Sequence, residues 1–182
     1  KGNYSTTFWY PRGRSPANLA EACVNALLPL ADPGPECIGI EWWLGRLRYG
    51  KKLPFHFDRD TVTRRETGSY VHPLYASALY LNDFPTSPMV ITDQVPGPDG
   101  QPRVPARPRF RESIAAVANR YVVFPGNLRH GVIPEVELED DAPRPGELRL
   151  SFLVNYWHRR PTPPVCFDYD GSIYPALGVP AP

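Results

Sequence analysis

Twenty-four prolines in 182 residues limit what this chain can fold into more than any other feature. Each proline lacks a backbone N–H and fixes its φ, which keeps it out of helix interiors and central strands. Short elements joined by stiff loops are therefore expected. Together with 14 glycines the prolines fill 38 of 182 positions, below the low-complexity range. The 42% hydrophobic and 12% aromatic content is that of a chain that folds, and the length suffices for the core of one compact domain. Lys and Arg number 20 against 19 Asp and Glu, a formal charge of +1, so neither nucleic acid nor an anionic membrane is an expected partner. No apolar run approaches the roughly 20 residues of a membrane helix.

Cys23, Cys37 and Cys166 are odd in number, widely spaced and lack a CxxC. They make neither a disulfide scaffold nor a cysteine zinc site, and the expected setting is a reducing one, the cytoplasm. The chain opens on Lys1-Gly2-Asn3 with no apolar signal region, and a targeting segment ahead of it stays open.

The residues predict a helix from Ser15 to about Leu28, with Ser15 as cap, Pro16 in the first turn and Pro29 as stop. Leu19, Cys23, Val24, Leu27 and Leu28 recur at helical spacing and would pack on a sheet. Strand-like pieces follow at Ile38–Tyr49, Phe55–Asp58, Val71–Leu81, Met89–Thr92, Tyr121–Phe124, Gly131–Leu138 and Leu148–Trp157. Turns such as Asp32–Pro35 and Pro96–Gly100 separate them. One helix before many strands points to a β sandwich or barrel with helical support on one side. The expected organisation is a single domain over 1–182. It has helical support at about 15–30, a β core at about 38–160, and a proline-rich arm at 161–182 lying extended on the surface.

Leu53-Pro54-Phe55-His56-Phe57-Asp58 is the most informative piece. Residues two apart in a strand share a face, so His56 and Asp58 converge while Phe55 and Phe57 pack opposite. Imidazole beside carboxylate suits Fe(II), Mn(II) or Zn(II), though a surface His–Asp contact gives the same pattern. His130, after the Pro125-Gly126 turn, could complete a two-histidine, one-carboxylate face with open metal positions, as a catalytic metal requires. Arg149 and Ser151 share a strand face and could take a ligand carboxylate in a forked contact, or Arg149 could form an edge salt bridge.

His56-x-Asp58, then His130, then Arg149-x-Ser151 resembles the Fe(II)- and 2-oxoglutarate-dependent oxygenases. Ala78-Leu79-Tyr80-Leu81-Asn82-Asp83 is similar to the strand after the metal motif in their prolyl-hydroxylase-like branch. The resemblance runs from about Glu41 to Trp157. It implies a mainly β fold, the double-stranded β-helix (a cupin-like jelly roll). It also implies Fe(II) on His56, Asp58 and His130, with Arg149, Ser151 and Tyr80 holding 2-oxoglutarate. Dioxygen would be the other co-substrate, succinate and CO2 the by-products, and hydroxylation of a C–H bond in a peptidyl residue or small metabolite the reaction. A metal-binding jelly-roll sensor or interaction module without turnover is the alternative. Arg149 lies 19 residues past His130, with the acidic stretch Glu135–Asp141 and the turn Arg144–Gly146 between, read here as a lengthened hairpin. Arg129 or Arg144 are the other possible anchors. Phe84–Pro88 replaces the glycine turn usual in that branch, so the branch does not fix the substrate.

Further candidates are secondary. His72 stands near the site or ends a loop. Asp93 and Gln94 follow an apolar strand and point into the pocket or make a turn, and Asn155 lies late in the Arg149 strand. Asp60 repeats the phase of Asp58. Trp42 and Trp43 read as core and rim. Arg103–Arg111 reads as a solvated basic loop. No Gly-x-Ser-x-Gly elbow, phosphate loop or HExxH occurs.

Overall fold

Where proline is absent, strands run long. The structure, a computed structural model, describes residues 6–98, 103–136, 148–163 and 166–174. Its two longest strands, β2 (Gly39–Arg48) and β9 (Leu148–Trp157), have ten residues each and no proline. They pair antiparallel along their whole length, Gly39 opposite Trp157 through Arg48 opposite Leu148. Prolines inside strands occur where a missing N–H is tolerated. Pro11 and Pro125 end β1 (Thr7–Pro11) and β7 (Tyr121–Pro125). Pro54 lies in β3 (Leu53–His56), an edge strand. Pro85 and Pro88 fall in β5 (Phe84–Thr92), where its register against β6 (Arg111–Ala116) shifts between Phe84 and Met89.

The strands form two facing sheets. One has six strands in the order β10-β1-β2-β9-β4-β7, the other four in the order β3-β8-β5-β6, where β4 is Tyr75–Tyr80, β8 His130–Val132 and β10 Cys166–Asp168. This is the jelly-roll, double-stranded β-helix architecture. The sheet passes both ends of the expected 38–160 core: β1 pairs with β2, and β10, inside the expected arm, runs parallel to β1. Among the described residues no helix is long and apolar enough to cross a membrane.

Period-two alternation divides the large sheet into two faces. Phe8, Ile40, Trp42, Phe152, Val154 and Tyr156 point outward and pack under helix α1 (Leu19–Ala31), which presents Ala20, Val24 and Leu27. Burying an aliphatic or phenyl side chain of this kind contributes roughly 1.5–3 kcal/mol. The helix begins later than expected: Asn18, not Ser15, caps it, accepting from the Glu21 N–H at 2.9 Å. Asn18 outcompetes the upstream serine because Glu21 reaches back to the Ala17 N–H at 2.7 Å, closing a reciprocal cap. Pro29 does not stop the helix. It lies exposed in the last turn, where the N–H it lacks costs the helix only one bond, to the carbonyl of the exposed Asn25. The end comes at Asp32, in the left-handed region with φ 42°, whose N–H returns to the Leu28 carbonyl.

A second helix, α2 (Thr61–Thr67), was not expected. Asp60 caps it, accepting from the Thr63 N–H at 2.9 Å, and the same carboxylate takes Thr162 and Arg159. Asp60 is therefore a structural hub and not a substitute for Asp58. The three cysteines are free.

Candidate metal centre

The inner face of the large sheet and the small sheet enclose a cavity of about 430 Å³. Its floor alternates along β9 as Arg149, Ser151, Leu153 and Asn155, and along β2 as Glu41, Trp43, Gly45 and Leu47. His56 ends β3 and His130 begins β8, and the two are register partners, so their rings meet with centroids 4.4 Å apart. Gly131 permits this approach: a Cβ there would stand 2.8 Å from the Leu53 carbonyl oxygen.

Asp58 projects from the segment between β3 and α2. His56 Nε2 lies 3.4 Å and His130 Nε2 3.7 Å from its Oδ1. The ligand atoms of the three residues all fall within 4.8 Å of one another. Each ring is fixed by a carbonyl two residues back: His56 Nδ1 bonds Pro54 O at 2.8 Å and His130 Nδ1 bonds Leu128 O at 3.0 Å. A carbonyl only accepts, so each Nδ1 carries the proton and each Nε2 offers its lone pair to the centre. Two lone pairs and a carboxylate oxygen facing one another repel unless a proton or a metal cation sits between them. The donor set therefore fits a divalent metal.

Burial works against the charge of Asp58, but His130, His56 and the Asn155 amide outweigh it and bring its pKa to about 2. Asn155 Nδ2 donates to Asp58 Oδ2 at 3.1 Å. Burial lowers the pKa of His130, while for His56 burial is outweighed by the adjoining Asp58, which raises it. His72 does not reach the cavity wall; its Nδ1 bonds the Asp58 carbonyl and its ring stacks on Tyr70, so it steadies the Asp58 backbone.

At the other end of the floor Arg149 is 7% exposed and its Nη1 donates to Ser151 Oγ at 3.2 Å. Its guanidinium carbon lies 4.9 Å from the Tyr80 ring centre. Among the described residues no carboxylate pairs with it, Arg149 Nε has no hydrogen-bond partner, and the fully buried Tyr80 hydroxyl has none beyond the Arg149 guanidinium itself. A buried cation with unsatisfied donors is costly, and a carboxylate ligand would satisfy it. Of the other possible anchors, Arg129 bonds Gln94 Oε1 and lies over Phe55, outside the cavity lining, and Arg144 lies outside the described residues, as does most of the expected long hairpin.

Two expected pocket residues lie elsewhere. Gln94 is fully buried but spends its amide on the Pro105 and Ala106 carbonyls, anchoring a loop. Asp93 accepts from the Arg109 N–H, closing the turn that leads into β6. Both sit past the end of β5, where the chain has already left the cavity. Sequence reasoning passed over Glu41 and Thr7, which line the cavity beside Asn155. An acid inside the apolar run Ile38–Tyr49 was the available signal.

No protein-family model matches the chain, and no curated protein matches it. Among solved structures it is similar to a Pseudomonas putida prolyl-4-hydroxylase, with 20% identity and a TM-score of 0.47 over 83% of this chain and 72% of that one. It is similar to a 2OG-Fe(II) oxygenase family oxidoreductase from Burkholderia pseudomallei, with 14% identity and a TM-score of 0.40; 68% of this chain covers 44% of that protein. A cupin superfamily protein from Desulfitobacterium hafniense gives 6% identity and a TM-score of 0.36, over 86% of this chain and 83% of that one. At these scores and identities none of the three likenesses bears on what the chain does.

Proposed function

We propose that the chain is an Fe(II)- and 2-oxoglutarate-dependent dioxygenase that hydroxylates a C–H bond of a small metabolite or of an amino-acid residue in a peptide. One observation carries this reading. A single cavity contains three acceptors that need a cation and, apart from them, a buried guanidinium that needs an anion. His56, Asp58 and His130 would hold the iron, two imidazoles and one carboxylate leaving its other positions for ligands. With 2-oxoglutarate and dioxygen, bound iron supplies the oxidative decarboxylation that gives succinate, CO2 and a hydroxylated product.

The chain does the positioning. The Pro54 and Leu128 carbonyls orient the imidazoles, and Asn155 holds Asp58 ionised and in place. Arg149 would take the far carboxylate of 2-oxoglutarate, with the Tyr80 hydroxyl and Ser151 as further partners. Leu47, Leu53, Val132 and Leu153 line the walls and exclude water. The free thiols suit a reducing compartment such as the cytoplasm.

Anaerobic addition of Fe(II) and then 2-oxoglutarate should produce the weak visible charge-transfer band of the chelate, and air should then release succinate. His56→Ala and Asp58→Ala should each abolish both signals. Arg149→Ala should keep metal binding and weaken 2-oxoglutarate binding by about tenfold or more, the loss of a charge-assisted pair. Tight metal binding with neither band nor succinate would instead assign a metal-binding sensor or interaction module.

A further inference from the structure

Beyond the metal ligands, the cavity has a second polar group of a different kind. Glu41 on β2 and Asn155 on β9 are register partners, 7% and 3% exposed, and both line the cavity. Glu41 Oε1 accepts from Thr7 Oγ1 at 2.6 Å and Oε2 from Trp157 Nε1 at 3.0 Å. A carboxylate offers about four acceptor positions, so with the Asn155 amide as a further partner some acceptor capacity still remains. Asn155 donates to Asp58, which fixes its amide with Nδ2 toward the metal group. Its Oδ1 is left buried with no hydrogen-bond partner among the described residues. Two adjacent buried acceptors, a third carboxylate behind them at Asp58 and no cation paired with Glu41 among the described residues: this arrangement is costly for a fold to keep.

We infer that Glu41 and Asn155 form a subsite for a cationic nitrogen that carries N–H groups, an ammonium or guanidinium, on the substrate. A ligand of that kind would donate to Asn155 Oδ1 and to the spare positions of Glu41, and its charge would offset the buried carboxylate. Trp43, two residues along β2 and on the same face, also lines the cavity and offers an indole ring against the cation or its alkyl stem. Leu47 and Leu153 continue the wall in apolar character, suited to a short hydrocarbon body. Arg46 and Arg59 line the same cavity, but both are exposed, where water and salt screen them, whereas Glu41 is desolvated. The pKa of Glu41, raised to about 7 first by burial and then by the charge of Asp58 against the opposing hydrogen bonds, agrees with a carboxylate short of positive charge.

The inference rests on the oxygenase reading only in calling the ligand a substrate, and its test is one of binding. The full chain, with Zn(II) added to fill the triad, is titrated with n-propylguanidinium, which is always charged and a poor metal ligand. The readout is tryptophan fluorescence, since Trp43 lines the cavity and Trp157 touches Glu41, with calorimetry as a check. Saturable binding at least tenfold tighter than that of 1-pentanol or n-propyltrimethylammonium is expected, because neither comparator supplies both charge and N–H donors. Glu41→Gln should reduce the guanidinium to the level of 1-pentanol, with near-UV circular dichroism confirming the fold. Equal binding of the three probes to the native chain would overturn the subsite without recourse to any variant, as would guanidinium binding that Glu41→Gln leaves intact. Guanidinium binding in a chain that forms no iron–2-oxoglutarate band would sink the oxygenase reading and leave the subsite standing.

Discussion

At the scale of single residues, Glu41 has a consequence for stability as well as for binding. Its carboxyl has a pKa of about 7 in the folded chain against an ordinary 4.5, chiefly because it is buried. Between those values the folded state holds a proton that the unfolded state has released. Stability from this group is therefore complete below about pH 4.5 and is lost as pH rises to about 7, after which it stays flat. The shift corresponds to about 3 kcal/mol at most. Glu41→Gln keeps the shape and removes the titration, so the variant should gain stability over the native chain from pH 5 to pH 8, by up to that amount. Urea unfolding at several pH values checks this; parallel curves for the two proteins would show that Glu41 is not desolvated. Of the residues at this centre, His56 and Asp58 were legible from their His-x-Asp spacing, although β3 ends at His56 and Asp58 follows it in the loop before α2. The meeting of His56 with His130 was not derivable from spacing, since it depends on a pairing between strands more than seventy positions apart. Gln94, Asp93 and His72 looked like pocket residues by proximity to apolar strands. Hydrogen bonds to backbone groups, which leave no pattern in sequence, took them instead.

Among elements, the pairing of β3 with β8 is short, four residues against three at a sheet edge, yet it carries both histidines. Gly131 makes it possible. An added Cβ would lie 2.8 Å from the Leu53 carbonyl oxygen and 3.1 Å from the Phe55 backbone, atoms that cannot rotate away. Gly131→Ala should push β3 outward, separate the imidazoles and weaken Zn(II) binding by tenfold or more. The larger sheet and α1 do not contain this contact, so far-UV circular dichroism should be retained. Native zinc affinity in the variant would mean that β3 yields without cost and that the glycine is not required. The runs of β2 and β9 were visible as long apolar stretches because both faces of the large sheet are covered. By contrast, α2 (TVTRRET) has two threonines flanking its one buried residue, Val62, so its pattern is weak; Asp60 before it and Gly68 after it were the only cues. Prolines 85 and 88 hid the first half of β5, which survives by shifting register.

For the molecule as a whole, the main core and the two histidines of the candidate metal centre belong to different sheets. The helix, the aromatic core and the terminal strands belong to the six-stranded sheet, whereas both histidines sit in the four-stranded one. Part of the segment expected to be an extended surface arm belongs to the former. β10 covers the edge of β1, Cys166 packs with Trp9 and Trp157, and Tyr169 stacks edge-on against Phe8 at 5.3 Å and near Trp42 at 5.6 Å. The composition of the tail gave no hint of this, because its partner strand lies at the opposite end of the chain. A chain ending at Pro163 keeps the Thr162 contact to Asp60 but exposes β1 as an edge and uncovers Phe8. The loss should resemble the removal of a buried aromatic, about 3 kcal/mol or more. For a chain of this length that lowers Tm by roughly 6–12 °C. Zn(II) affinity at 20 °C should stay unchanged, because β3 and β8 lie in the other sheet from β10. Propylguanidinium binding should weaken, because Thr7 on the loosened β1 no longer steadies Glu41. Melting at the native temperature would mean that the terminal strand is an appendage. Parallel loss of zinc and guanidinium binding would mean that the two sheets rise and fall together, and that the division of labour between them is not real.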